Sequence, residues 1–388
     1  MARTRVLIAG VSTRAMAESA VRAGYDVSAI DAFGDLDHRA GTLVSFTRDL
    51  GIHYSAMVAA RTSRTVPADA VAYVSNFENH PRAVALLAQG RSLWGNSPAV
   101  LAHARNPIEL ARVLRRHGLP ALDVRATPPR APTVHGQRWL SKPRASGGGH
   151  GIAPWRPGDP LSRRQVIQER MTGVAASLIF CANGEAAVPF GVSRLLAGDP
   201  AFGADGFKYC GNILGRLPRA STTEWRNVLA TASRAAQALT ATFGLRGVNG
   251  LDCIVSGGTP FVIELNPRYT ASMELAERAF GFSVFHAHAC GCAGELVSFD
   301  LHAALRHAPV AGKAILYARR DSVMADTRRW LEDPSVRDVP HSGERIQRGR
   351  PICTIFAEGR SSASCHAALV RRAQKLYHEM DSWRGVTA

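Results

Sequence analysis

Two stretches of this 388-residue sequence place residue types at spacings that suit phosphate and metal chemistry. In the first, a short apolar strand carries Lys142, and Ser146, Gly147, Gly148, Gly149 and Gly151 follow before the chain turns apolar again at Ile152. Glycines let backbone N–H groups approach an anion closely and form a nest around it. The lysine adds a point charge for a phosphate. No Gly-Lys-Ser/Thr opens a helix here, so the segment is not a P-loop. It reads as a glycine hairpin closing over phosphates, with a plain Gly-rich turn as the bland alternative. In the second stretch, Asp252 is followed by Ile263-Glu264-Leu265-Asn266-Pro267-Arg268. Glu264 and Asn266 are two apart on a strand and face the same side. A turn at Ser256-Gly257-Gly258-Thr259 sets Asp252 beside them. Two carboxylates and an amide oxygen suit Mg2+, which takes hard oxygen ligands and keeps waters and phosphates in its shell. Arg268 lies just past the strand, within reach of a phosphoryl oxygen. A solvated acid pair is the competing reading.

The elements that must hold these groups follow from the pattern. Val6 to Ala9 reads as a buried strand, Thr13 to Ala23 as a helix stopped by Gly24, and Asp26 to Ile30 as a second strand ending on Asp31. Val71 to Ser75 is a further strand, followed by the polar loop Asn76-Phe77-Glu78-Asn79, and helices are expected over 81–90 and 106–117. This is a doubly wound α/β layer. Asp31 stands where a ribose-binding acid would, yet the turn Gly10-Val11-Ser12-Thr13-Arg14 lacks G-x-G-x-x-G. A structural layer with an anion-friendly helix N-terminus is the better reading. Residues 121–220 are strand-rich, with many Gly and Pro. Ser221-Thr-Thr-Glu224 is a capping box that opens a long helix to 243. Strands follow at 248–255 and 260–266. The last segment has short strands with turns at Gly343 and Gly349, then a helix over 362–379.

Composition removes other classes. The chain is 46% hydrophobic and 20% charged, too apolar for a disordered chain, and its length predicts two or three domains. No apolar stretch approaches a membrane span, and the start is too short in apolar residues for a signal peptide. Seven irregularly spaced cysteines do not form a disulfide framework, which points to a reduced, cytoplasmic setting. The formal charge of +16 suggests a polyanion, but only four of the 47 basic residues are lysine, and the arginines are scattered. Aromatic residues are 7%, so the interleaved basic and aromatic stripe of a nucleic-acid binder is missing. His286-x-His288-x-Cys290-x-Cys292 has zinc-ligand types, but its alanine and phenylalanine neighbours favour a buried helix over a metal site.

The order of lysine and glycine hairpin, then Gln168-Glu169-Arg170-Met171, then an acid, then Glu-x-Asn-Pro-Arg resembles the ATP-grasp superfamily. The opening resembles a subgroup of predicted ATP-dependent carboligases related to biotin carboxylase, and the tail at 343–354 resembles the small C-terminal β domain of that branch. The resemblance implies α/β and α+β architecture. It implies a Rossmann-like pre-ATP-grasp domain at 1–100 and an ATP-grasp domain at 101–310, with a lid-like subdomain at 121–215. A β-rich C-terminal subdomain at 311–388, ending in a helix, would complete the fold. It implies that Lys142 touches the α and β phosphates beneath a glycine hairpin built on Ser146, Gly147, Gly148, Gly149 and Gly151. Gln168, Glu169, Arg170 and Met171 would be the adenine hinge, with Glu169 near the ribose. Asp252, Glu264 and Asn266 would hold one or two Mg2+, for which Mn2+ could substitute, and Arg268 would stabilise the transferring phosphoryl group. Lys208 would sit near the γ-phosphate or substrate. Many relatives carry a second ATP lysine before the hairpin; here no lysine precedes Lys142, which leaves Arg105 or Arg138.

The activity this implies is ATP-dependent phosphorylation of a carboxylate, followed by coupling of the acyl phosphate to an amine. A setting in cofactor biosynthesis linked to one-carbon metabolism is implied by the same resemblance. A bicarbonate-dependent carboxylase working through carboxyphosphate is the alternative, although Tyr269-Thr-Ala-Ser272-Met-Glu274 differs from the Val-Glu-His run of biotin carboxylase. Nucleic-acid binding is the third reading. The substrate crevice is expected at Ser12, Thr13, Arg14, Asp31, Asn76 and Glu78. The expected partners are small-molecule carboxylates and amines, with no nucleic acid and no membrane; a homodimer stays open.

Overall fold

Strands β1 (Arg5–Ala9), β2 (Asp26–Asp31), β3 (Thr42–Ser45), β4 (Ala70–Tyr73) and β5 (Ser92–Trp94) form a parallel sheet in the order β3-β2-β1-β4-β5. The computed structural model describes residues 3–127, 138–218 and 220–383. Helices α1 (Arg14–Arg22), α2 (Ala56–Thr62), α3 (Pro81–Ala88) and α4 (Pro98–Ala104) accompany the sheet, while α5 (Pro107–Arg116) leaves it to join the core of the segment that follows. Both faces of β1 are covered, which is why Val6 to Ala9 is apolar without alternation. Val6 and Ile8 pack with Met16 and Ala20 of α1, while Leu7 and Ala9 pack with Ala59 of α2 and Leu87 of α3. The sequence pattern located β1, β2, β4, α1, α3 and α5; the short β3, α2, β5 and α4 lie beyond it.

Strands β6 (Val124–Arg125), β7 (Trp139–Pro143), β8 (Ala153–Trp155) and β9 (Gln165–Glu169) form a four-stranded antiparallel sheet in the order β6-β9-β7-β8. The glycine loop joins β7 to β8. A larger antiparallel sheet is built on β10 (Val174–Asn183), β11 (Ala187–Ala197), β12 (Tyr209–Leu214), β13 (Arg246–Ser256) and β14 (Thr259–Asn266). Helix α6 (Thr222–Phe243) covers one face. Its Val228, Leu229, Ala232 and Leu239 pack on Leu178, Phe180 and Leu251. The expected capping box is present, with Ser221 Oγ accepting from Glu224 N at 3.1 Å and Glu224 Oε2 accepting from Ser221 N at 2.7 Å. The opposite face is polar at β13 and β14, where Asp252, Glu264 and Asn266 lie.

Helices α7 (Met273–Phe280), α8 (Val284–Ala293) and α9 (Leu301–His307) lead to β15 (Val310–Tyr317), which pairs with β12. β16 (Ser322–Val323) and β18 (Arg345–Ile346) make a small ribbon, while β17 (Val336–Arg337) and β19 (Pro351–Gly359) extend the large sheet beyond β15. The segment after 310 therefore continues the sheet of the preceding segment, closed by α10 (Ser362–Ser382). Among the described residues, no helix is long and apolar enough to cross a membrane.

Three parts of the chain meet at Arg14. Its fully buried guanidinium lies 2.6 Å from Asp338, 2.9 Å from Glu274 and 3.0 Å from Glu18. Lys313 of β15 meets Glu274 from the other side at 2.7 Å. Burial opposes these charges, but the arginine and lysine hold the Glu274 carboxyl far below the usual range. Removing one partner of a buried ion pair strands the others, at a cost of about 3–5 kcal/mol. Arg14→Met is therefore expected to lower the unfolding free energy by that amount in a urea titration; a loss below about 1 kcal/mol would show the junction is not held this way.

Candidate functional site

Pairing of β13 with β14 sets Asp252 directly opposite Glu264 and Gly250 opposite Asn266. Asn266 Nδ2 donates to Asp252 Oδ2 at 2.9 Å. Burial, with the Glu264 charge adding to it, pushes the Asp252 carboxyl up to about 6. Burial would raise Glu264 as well, but Arg105 and Lys142 hold it below its ordinary value. Arg105 Nη1 donates to Glu264 Oε1 at 2.7 Å and to Leu265 O at 2.8 Å. Its Nη2 reaches Ser146 O in the glycine loop at 2.6 Å, and its Nε reaches Asn79 Oδ1 at 3.1 Å. One guanidinium thus ties the acid pair to the glycine loop and to the loop after β4. Arg138, the other candidate for the second cation, has an exposed side chain.

Lys142 Nζ donates to Gln168 Oε1 at 3.0 Å and to Ile263 O at 3.2 Å. Burial lowers its ammonium, and Arg105 adds to that effect against the pull of Glu264. Arg105, Lys142, Ser146, Gly147, Gly149 and Glu264 line one narrow cleft. Gly148, Gly149 and Gly151 all adopt positive φ. At Gly149 the requirement is double, because a Cβ would sit 1.8 Å from Phe207 O. The loop is shut on this strut, with Tyr209 N donating to Gly148 O at 3.0 Å.

The hinge segment is partly used internally. Glu169 N donates to Asp123 O at 2.8 Å, Arg170 N donates to Arg138 O at 2.7 Å, and the Glu169 carboxylate accepts from Asp123 N at 3.2 Å. Of the expected hinge donors, the Met171 N–H makes no hydrogen bond among the described residues. Lys208, expected at the γ-phosphate, turns instead to the C-terminal segment. Its Nζ donates to Gly349 O at 2.6 Å and stands 4.1 Å from the centre of the Tyr317 ring.

Arg268 bridges to the parallel sheet. Its Nε donates to Glu78 Oε1 at 2.7 Å, its Nη1 to Tyr269 O at 2.9 Å and its Nη2 to Asn266 Oδ1 at 3.4 Å. Asn76 and Glu78 follow β4 at this same junction, and Ser12 is exposed beside them, where Val11 N donates to Ser75 O. Thr13, Arg14 and Asp31, expected in the substrate crevice, are structural instead. Asp31 is buried, and its carboxylate accepts from Thr13 N, Thr13 Oγ1, Phe33 N and Gly34 N at 2.6–2.9 Å, which pins the turn after β1 to the turn after β2. Arg14 is consumed by its carboxylates. His286, His288, Cys290 and Cys292 lie on α8 and pair one turn apart, as the helical reading requires. His288 is committed at both nitrogens, Nδ1 accepting from Val248 N and Nε2 facing Trp94 O. No cluster of three His, Cys, Asp or Glu fit for a metal is present among the described residues.

Two outcomes follow from the geometry. The Asp252 carboxyl rises from 3.8 to about 6 on folding, so stability falls as pH rises between those values and the loss persists at pH 7. Asp252→Asn is expected to raise the unfolding free energy at pH 7 by on the order of 1–2 kcal/mol, while weakening magnesium-nucleotide binding in calorimetry. An unchanged or lower stability would contradict the strain assigned to the acid pair. Arg105→Gln is expected to weaken MgADP binding about 10–100-fold and to speed tryptic cleavage after Arg144 in the nucleotide-free protein. Wild-type rates of cleavage would show that Arg105 does not hold the loop.

Residues 104–272 match the family model described as an ATP-grasp domain. An uncharacterized protein of Methanocaldococcus jannaschii is 23% identical over 116 residues, which is 30% of this chain and 27% of that protein. Rhizobium etli pyruvate carboxylase superposes on 96% of this chain with a TM-score of 0.72 at 15% identity; the match spans 37% of that longer chain. An L-amino acid ligase from Bacillus licheniformis superposes at TM-score 0.66 and 15% identity over 97% of this chain and 98% of its own. The biotin carboxylase domain of Hydrogenobacter thermophilus 2-oxoglutarate carboxylase, solved with MgADP, ADP and bicarbonate, gives 0.66 at 13% identity over 92% and 86%. The family match runs from Arg105 through Lys142 and the glycine loop to the Asp252–Arg268 hairpin, so residues 104–272 are matched as an ATP-grasp domain, and the fold of the chain is similar to that of biotin carboxylases.

Proposed function

We propose that this chain phosphorylates a small-molecule carboxylate with ATP and couples the resulting acyl phosphate to an amine, releasing ADP and phosphate. The observation that carries the reading is the half-buried Asp252–Glu264 pair with Asn266 beside it, faced by Arg105, Lys142 and Arg268. The donor set is hard oxygen and carries excess negative charge, which fits Mg2+. Bound there with a nucleotide, Mg2+ supplies charge neutralisation for phosphoryl transfer. Lys142 and Arg105 would hold phosphate oxygens, the second doing the work of a second lysine by a planar fork. The glycine loop excludes water. Arg268 Nη2, only loosely held by Asn266, is free to turn to the transferring phosphoryl group. Catalysis on this account is positioning and charge, without a nucleophilic side chain.

Bicarbonate as the acid is the second reading, favoured by the bicarbonate-bound fold neighbour. Biotin as acceptor is disfavoured by the run after Arg268. Ser272 Oγ lies 3.0 Å from Thr270 Oγ1, and Glu274 is spent on Arg14 and Lys313. A role in cofactor biosynthesis tied to one-carbon metabolism rests on the sequence resemblance. Nucleotide analysis over a panel of carboxylates, bicarbonate included, with amines is expected to yield ADP and phosphate in equal amounts, abolished in the Asp252→Asn, Glu264→Gln double variant. Formation of AMP and pyrophosphate would refute the acyl-phosphate route, and turnover with bicarbonate alone would select the second reading.

A further inference from the structure

Where β4 runs out toward the cleft, three buried side-chain oxygens lack a hydrogen-bond partner among the described residues: Tyr54 Oη, Asn76 Oδ1 and Glu78 Oε2. Buried polar atoms are nearly always paired, and each unpaired one costs stability. Glu78 is the most telling, because it is 1% exposed and half of its carboxylate is satisfied. Oε1 is fixed by Arg268 Nε at 2.7 Å, so Oε2 is held in place with no partner. The charged and titratable groups that face Glu78 are Arg268 after β14, Arg105 after α4, Tyr73 of β4 and Tyr54. Tyr54 packs on Phe46 with ring centres 4.9 Å apart. Burial first, then the charges of Glu78 and Asp31, push its phenol well above the usual range.

The Tyr54 hydroxyl can donate or accept, but carboxylate and amide oxygens only accept, so the group that completes Glu78 Oε2 and Asn76 Oδ1 together must donate. A second carboxylate or a phosphate would be repelled by Glu78. A primary amine brings the donors required. Arg268 gives the seat its place in the reaction, because the guanidinium that would hold the phosphoryl group by Nη2 also holds Glu78 by Nε.

We infer that Glu78 Oε2, with Asn76 Oδ1, seats the attacking amine and takes its proton. The inference rests on the acyl-phosphate reading above. The nitrogen lone pair attacks the acyl carbon and a C–N bond forms. The C–O bond to phosphorus breaks, and phosphate leaves with that electron pair. The proton shed by nitrogen passes to Glu78 Oε2.

The test compares two nucleophiles on the full-length protein with MgATP and a carboxylate panel. Hydroxylamine captures acyl phosphates without help from a base, whereas ammonia and small primary amines need one. Glu78→Gln keeps an acceptor for Arg268 but replaces Oε2 with a donor. Its expected behaviour is amine coupling reduced at least about tenfold more than hydroxamate formation, the difference narrowing as hydroxide takes over at higher pH. Asn76→Ala is expected to raise the amine KM about tenfold, a larger effect than on the KM for hydroxylamine. Equal losses with both nucleophiles, or undiminished amine coupling in Glu78→Gln, would overturn the inference and leave the ligase reading standing. A wild-type protein that makes no hydroxamate with any carboxylate would overturn the ligase reading itself, and the amine seat with it.

Discussion

Two carboxylates set opposite each other on adjoining strands, half-buried at a cleft, repel each other and call for positive charge nearby. That constraint on Asp252 and Glu264 organises the cleft. Among the described residues that charge comes from Arg105, Lys142 and, further out, Arg268. It is enough for Glu264 and not enough for Asp252, whose carboxyl stays near 6. The same guanidinium that partners Glu264 also grips Ser146 O, so a divalent cation arriving at the acids would compete with the Arg105–Glu264 pair that sets this guanidinium against the glycine loop.

The surroundings serve to hold that hairpin against the parallel sheet. One face of β1 is covered by α1 together with α8, so the two α/β regions share a hydrophobic core. Buried charge completes the junction, with Arg14 and Lys313 converging on Glu274 from opposite ends of the chain. Because β15, β19 and β17 extend the large sheet, the C-terminal segment is tied to the strands that carry the acid pair, and through Lys208 to the loop on which Gly149 rests. A shift at Gly349 therefore has a direct mechanical path to the glycine loop.

What could be read from the sequence was local. The Asp252–Glu264 register follows from a two-residue period and a Gly-Gly turn, the capping box at Ser221 from four residues, and the glycine hairpin from its composition. The helical pairing on α8 was equally visible in the i, i+4 spacing. The hidden parts depend on residues far apart in the chain. Arg14 reads as an anion-binding residue after a turn until Asp338, 324 positions away, is placed on it. Asp31 reads as a residue of the substrate crevice, although four donors from two neighbouring turns saturate it. Short elements such as β5 (three residues) and β3 (four residues) are too brief to show a period. Arg105 stood among the candidates for a missing lysine, but its grip on both Glu264 and Ser146 O could be seen only in the fold.

On the proposed function, the half-buried acid pair takes a divalent cation and Arg105 gives up its place on Glu264 to it. A crystal structure with Mg2+ and a non-hydrolysable ATP analogue tests this most directly. The account predicts metal between Asp252 and Glu264, Arg105 moved from Glu264 onto a phosphate oxygen, and the Ser146 contact remade around the nucleotide. Nucleotide bound with Arg105 still paired to Glu264 and no metal at Asp252 would contradict it.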